Sequence, residues 1–297
     1  MALLAALALA VVAGWTAGAS LDEPRTEVAA AVLRGEIVVV GGFLESGANS
    51  RRVDAYAAAT DTWRRLPDLP VSVDHAAAAS YRGRLVVVGG YGADRRPLRA
   101  AFLYDGTRWR RLPPPPAARA AAAAAATKDG RVYVVGGRDE RGLAREMLVL
   151  DLRTLRWRAM PGPTPREHLA ATAFRGRVVA LGGRTAGYDT NVRTVEALDP
   201  RRGRWQALPP LPSARGGTGA ATIAGRIVSV GGEQPAGTIA SVYALRVDAG
   251  RWERLDDLPT PRHGLGVVAH AGRVWALAGG PRPGLTVSGV VESLAVP

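Results

Sequence analysis

The chain has 297 residues, 47% of them hydrophobic, enough for a substantial core. It has no cysteine, which excludes disulfides, thiolate metal sites and cysteine nucleophiles. The net charge of +13 comes almost wholly from arginine, since Lys128 is the only lysine, but the arginines form no run or stripe. Nucleic acid is therefore not an expected partner, while acidic ligands or surfaces are.

Residues 1–13 are an unbroken apolar run, too short for a bilayer helix of about 20 residues. They read as the apolar region of an export signal, which implies a secreted, periplasmic or cell-envelope protein with no transmembrane span after cleavage. Small residues allow cleavage before Gly14 or as late as before Ser20, and no Lys or Arg precedes the run. The alternative is a buried terminal strand or helix. Trp15 favours the earlier cut because it belongs to a series described below.

From residue 14 onward the sequence repeats. Ile37-Val38-Val39-Val40-Gly41-Gly42 is a strand ending in two glycines, and similar phrases place glycine pairs at 41, 89, 136, 182, 231 and 279. The steps are 48, 47, 46, 49 and 48 residues, so residues 14–297 form one domain of six like units. A typical unit holds strands at 53–58, 63–66, 76–81 and 84–89, separated by turn residues and by Pro67 and Pro70. Four strands in about 48 residues predict one blade of a β-propeller.

The stretch 119–127, RAAAAAAAT, is helical by propensity alone. It occupies a slot filled elsewhere by small or β-branched residues, as at 76–80 and 264–268. The strand lining a propeller channel has room for little else, so this stretch is predicted to be a strand. Trp63, Trp109, Trp157, Trp205 and Trp252 lie 26, 27, 25, 26 and 27 residues before their glycine pairs, and Trp15 lies 26 before Gly41. The last unit lacks its tryptophan strand. The strand around Trp15 is predicted to supply it, closing an all-β ring of six blades at residues 290–295.

The order of glycine pair, strand with acidic turn, Trp, then Leu-Pro-x-x-Pro resembles kelch repeats. Gly182-Gly183, Glu196 to Pro200, Trp205 and 208–212 show it in one unit. The resemblance covers about residues 14–297. It implies a six-bladed kelch-type β-propeller that binds partners on its loop face, and it leaves the activity open. In architecture the chain is also similar to secreted propellers of the N-acetylneuraminate epimerase (mutarotase) type. That similarity implies an acid–base glutamate, with Glu27, Glu167 and Glu233 as candidates, near a carboxylate-binding arginine. Copper radical oxidase chemistry of the galactose oxidase type needs a cysteine and is excluded.

The loop face should gather the residues just before each alanine strand and just after each glycine pair. Ten residues after Trp15 stands Arg25; the same offset gives Arg119, Arg215 and Arg262, and an offset of nine gives Arg166, with Val73 in the remaining unit. Five guanidiniums around one mouth would attract carboxylate or phosphate; alternatively they hold loop carbonyls and serve the scaffold. His75, His168 and His263 lie beside this column, and Arg138 and Arg184 follow glycine pairs. No metal site is expected, because the four histidines show no close-spaced ligand pair. The reading is a monomeric binding module for an anionic small molecule, glycan or acidic protein segment, with no cofactor. A mutarotase and a structural envelope protein are the alternatives.

Overall fold

The second strand of each blade explains the arrangement. Successive side chains of a strand point to opposite faces. In Glu36–Val40, Val38 and Val40 pack toward Leu85 and Val87 of one neighbouring sheet, while Ile37 and Val39 pack toward Trp275 and Leu277 of the other. All four are fully buried, so the run is continuously apolar instead of alternating. Such a strand is stable only between two other sheets, and a ring of sheets satisfies every one of them.

The computed structural model describes residues 14–296 and shows that ring. The export leader expected at residues 1–13 lies outside the described residues. Six four-stranded antiparallel sheets make six blades, and two additional two-stranded ribbons rise from the loop face. Blade 1 contains Ala29–Leu33, Glu36–Val40, Val53–Ala57 and Thr62–Arg65, ordered from the channel outward. Blades 2 to 5 repeat the pattern from Ala77–Tyr81, Ala123–Ala126, Ala170–Phe174 and Gly219–Ile223. Blade 6 takes three strands from the end of the chain, Gly266–His270, Arg273–Leu277 and Val291–Ala295. Its outermost strand is Trp15–Gly18, with Trp15 opposite Leu294 and Gly18 opposite Val291. Among the described residues no helix is long and apolar enough to cross a membrane.

The alanine stretch does enter the sheet as a strand and not a helix, but only over Ala123–Ala126 of the 119–127 expected; Arg119 to Ala122 form the segment that leads into it. Ala123–Ala126 pairs with Arg131–Val135, and the inner strands of the blades enclose a channel of about 130 Å³. Crowding there explains the composition: a Cβ on Gly266 would lie 2.6 Å from that of Ala30. Tertiary space thus overrides helical propensity.

The structure changes two details of the repeat. The unit read from 53 to 89 straddles two blades, because Val53–Ala57 pairs back onto Glu36–Val40, whereas Ala77–Tyr81 opens the next sheet. The last glycine pair also shifts by one residue. The N–H of each pair's second glycine donates to a carbonyl at the start of the next blade at 2.8 Å: Gly42 to Val73, Gly90 to Arg119, Gly137 to Arg166, Gly183 to Arg215, Gly232 to Arg262. In blade 6 the donor is Gly279, to Arg25. Ala278 therefore stands where the other blades have their first glycine, with φ +57°, while Gly280 lies beyond the pair.

Each of the six repeat tryptophans also ties two blades. Trp109, Trp157, Trp205 and Trp252 donate from their indole nitrogens to the carbonyls of Pro67, Pro113, Pro161 and Pro209, at 2.8, 2.9, 3.1 and 2.9 Å. Trp15 reaches Asp256 and Trp63 reaches Ala19 in the same way, at 2.9 and 2.8 Å, so the circle runs through the N-terminal strand. A cut before Ser20 would remove that strand.

Gly89 and Gly35 separate the two uses of glycine. Both have positive φ, but a Cβ on Gly89 would fall on the Arg119 carbonyl oxygen, whereas one on Gly35 meets nothing within 4 Å. Gly35→Ala should cost only the left-handed backbone strain, about 1 kcal/mol. Gly89→Ala should cost about 3 kcal/mol or more, because backbone must move. Urea unfolding of the two variants checks this contrast.

Candidate functional site

Before each inner strand, three successive residues descend from the blade interior to the channel mouth. The first is the arginine column. Arg25, Arg119, Arg166, Arg215 and Arg262 are 0–1% exposed, so they do not form the anion funnel that their spacing allowed. They turn back to backbone: Arg25 and Arg166 donate to the carbonyls of Gly41 and Gly182 at 3.0 and 2.7 Å, and Arg119 and Arg215 to those of Gly136 and Gly231 at 3.4 and 3.3 Å. Arg262 donates to the Ala276 carbonyl at 3.1 Å. Arg25, Arg166 and Arg262 are further paired with Asp54, Glu196 and Glu292 on the third strand of their own blades. Burial lowers the pKa of all five guanidiniums, and the paired acids oppose that shift. The column braces the glycine pair of four blades, and Arg262 holds the second strand of a fifth.

The third of these residues forms a ring. Glu27, His75, Ala121, His168, Gly217 and Gly264 all adopt left-handed backbone, with φ between +50° and +62°. Five of the six N–H groups donate to the carbonyl of the counterpart in the preceding blade: His75 to Glu27, Ala121 to His75, His168 to Ala121, Gly217 to His168 and Gly264 to Gly217, at 2.9–3.1 Å. Val28 closes the circle onto Gly264 at 3.2 Å. Glycine takes this conformation freely, and blades 5 and 6 use it; glutamate or histidine there costs about 1–2 kcal/mol each. Stability alone would not choose Glu27, His75 and His168.

Their side chains meet over the mouth. His75 Nε2 lies 2.9 Å from His168 Nε2 and 3.2 Å from Glu27 Oε2. The other Glu27 oxygen accepts from His263 Nδ1 at 3.1 Å, and His263 Nε2 donates to the carbonyls of Arg282 and Gly284 at 3.1 and 3.0 Å. Glu233 lies 3.6 Å from His263 and 2.7 Å from Arg184, and Arg184 reaches His168 Nε2 at 2.9 Å. Six ionisable side chains from five blades therefore make one closed circuit. Room for it comes from glycine: a Cβ on Gly264 would lie 2.5 Å from the Glu27 carboxylate.

The charge states follow from the partners. Burial opposes charge on His75, but the Glu27 carboxylate and the Asp74 hydrogen bond outweigh it and raise its pKa. Burial likewise opposes charge on His263, and Glu27 and Glu233 raise its pKa overall. His168 goes the other way: burial lowers its pKa, the neighbouring His75 and Arg184 add to this, and Glu167 and Glu27 do not compensate. His168 is thus the neutral imidazole, accepting at Nε2 and holding its proton on Nδ1, 3.4 Å from Glu167 Oε1. Burial would raise the pKa of Glu27 and of Glu167, yet the His75 charge and the His263 hydrogen bond hold Glu27, and the His168 N–H together with Arg184 and Arg138 hold Glu167, below the usual carboxylate range.

Beside the circuit, toward solvent, opens a cavity of about 920 Å³. Its lining includes Arg95, Arg96, Arg138, Arg141 and Arg184 against Asp139, Glu140 and Glu167, so arginine is in excess. The Arg95 and Arg138 side chains are 54% and 40% exposed. Arg95 lies over the rings of Phe43 and Tyr91, 4.6 and 5.3 Å from their centroids. The loop face therefore does carry guanidiniums, but on the loops after the glycine pairs. Of the sequence candidates, Arg138, Arg184, His75, His168, His263, Glu27, Glu167 and Glu233 converge at this mouth. Arg95, Arg96 and Arg141 were missed because no repeat position marks them; the doublet Arg95-Arg96 in a post-glycine loop was the available signal. Sequence spacing offered no close-spaced ligand pair, whereas the fold brings together Glu27, His75 and His168, whose donor atoms all lie within 4.8 Å of one another. They come from three blades, which sequence spacing cannot reveal.

Residues 15–161 and 108–280 match, in two overlapping stretches, the family model described as the KLHDC2/KLHL20/DRC7 Kelch-repeats domain. The chain belongs to the kelch-repeat family. It is 31% identical to Kelch-like protein terF of Aspergillus terreus over 243 residues, 75% of this chain and 53% of that protein. It is 30% identical to Kelch-like protein 35 of Mus musculus over 212 residues, 70% of this chain and 36% of that one. The chain thus spans about half the length of the fungal relative and about a third of the murine one. The kelch propeller is a scaffold on which its family builds binding surfaces, and here the irregular side chains collect at one mouth.

The circuit makes stability depend on pH. His75 and His263 have raised folded-state pKa values, so their contribution is complete below the ordinary histidine value, about 6.5, and is lost as pH rises through the folded pKa. In EDTA-containing buffer the melting temperature should fall as pH is raised above neutral. In His263→Gln that fall should be shallower by about 2–4 °C per pKa unit removed. Parallel curves for the two proteins would contradict the assignment.

Proposed function

We propose that the chain is a binding module whose loop face holds an acidic segment of a partner protein in the groove beside the channel mouth. The observation that carries this reading is the groove lining, where Arg95, Arg96, Arg138, Arg141 and Arg184 outnumber the acids, and where Arg95 and Arg138, though paired with Asp74 and Glu167, keep about half of their side-chain surface open to solvent. Guanidinium forks pair with carboxylates in bidentate fashion, and Arg95 is held in place by Phe43 and Tyr91, so little side-chain freedom is lost on binding. An acidic glycan would present the same carboxylates and is the other ligand of this chemistry. The apolar run at residues 1–13, read as an export leader, supports a secreted or envelope setting. A general-acid role for Glu27 or Glu167 receives no support, because their surroundings hold both carboxylates below the usual range where a general acid would need a raised pKa.

Fluorescence anisotropy with labelled glutamate-rich and lysine-rich peptides tests the reading. The acidic peptide should bind more tightly, with affinity falling steeply as salt rises. Arg95→Ala combined with Arg141→Ala should weaken it about tenfold or more while the fold persists, since both side chains project from surface loops. Equal binding of the two peptides, or an unchanged affinity in the double variant, would overturn it.

A further inference from the structure

The geometry points to a transition-metal cation site of the zinc class at the channel mouth, with His75, His168 and Glu27 as protein ligands. Ligand atoms around a tetrahedral metal with bonds of about 2.0–2.1 Å stand roughly 3.3 Å apart. The two Nε2 atoms are 2.9 Å apart, and Glu27 Oε2 is 3.2 Å from the nearer one. All three donors already lie within 4.8 Å of one another, so small side-chain rotations suffice.

The groups behind the donors complete the argument. A metal-binding imidazole normally gives its other ring N–H to a carboxylate, which fixes the tautomer and aims the lone pair. His75 Nδ1 is hydrogen-bonded to Asp74, and His168 Nδ1 faces Glu167. Both rings thus present Nε2 to the same point. His263 is set apart from this role, since its Nε2 is turned to two backbone carbonyls. Arg184, now beside His168 Nε2, also contacts Glu233 and Glu167 and can remain on them when a cation takes its place. Two imidazoles and one carboxylate, without thiolate, suit Zn²⁺ or Co²⁺ and leave a fourth position toward the groove. The strained backbone at all three ligands, where blades 5 and 6 use glycine, indicates that the mouth keeps these side chains for more than packing.

Chelator-stripped protein titrated with Co²⁺ should develop ligand-field absorption saturating at one ion per chain, and one equivalent of Zn²⁺ should abolish it. X-ray absorption of the zinc form should require two imidazole nitrogens. His75→Ala and His168→Ala should each lose about 100-fold or more in Zn²⁺ affinity, while His270→Ala, outside the mouth, should match wild type. Asp74→Asn should keep one ion per chain and weaken it by about 10–100-fold. The absence of a saturable band, a zinc spectrum without imidazole, or wild-type affinity in the His75 and His168 variants would overturn the proposal. The two spectra of the wild-type protein decide it even if a variant fails to fold.

Discussion

Everything in this propeller depends on a close approach of backbone to backbone between neighbouring blades. At the end of each second strand, one N–H meets the carbonyl that opens the next blade's inner segment, six times at 2.8 Å. Such proximity leaves no space for a Cβ: at Gly41 one would lie 2.6 Å from the Val73 carbonyl oxygen of the next blade. The contact sets the phase of each blade against the next. It also buries the arginine column, because the residue whose carbonyl is engaged must turn its side chain inward. There the guanidinium finds the carbonyls of its own turn and, in three blades, an acid on the third strand. Removing Arg262 would leave the buried Glu292 carboxylate without its cation, which is costlier than the pair itself is stabilising.

The mouth inherits its geometry from the same contact. Two residues beyond the engaged carbonyl, the chain turns left-handed and hydrogen-bonds to its counterpart in the preceding blade. Symmetry would allow six glycines there. The chain instead places one glutamate and two histidines on the ring, with glycine opposite them to make room. The ionisable side chains gather where the symmetry is broken: the repeat supplies the circle, and the exceptions to the repeat place Glu27, His75 and His168 on it.

The architecture was legible because the repeat is a physical necessity. A strand buried on both faces reads as an apolar run, a close approach reads as glycine, and a circle of indole hydrogen bonds reads as tryptophan at constant spacing. Even the missing last strand could be located, since Trp15 keeps the spacing of the series. What failed was finer. Ala278 hid the true phase of the last pair, because the sequence offered two adjacent glycines one residue later. The arginine column pointed to the right region but to the wrong side of the backbone; a spacing of ten residues fixes which loop a side chain leaves and not whether it turns inward. Contacts such as His75 with His168, 93 residues apart, depend on channel diameter, and no local pattern records that.

The central claim is that the ring of inter-blade hydrogen bonds holds the mouth as one rigid unit. Amide hydrogen exchange followed by NMR tests it most directly, at His75, Ala121, His168, Gly217 and Gly264, whose N–H groups form the ring. The account predicts that these five amides exchange only through global unfolding, as slowly as those of Val38 and Val228 in the buried second strands. Exchange at the mouth that is orders of magnitude faster than in those strands would show a locally opening rim and contradict it.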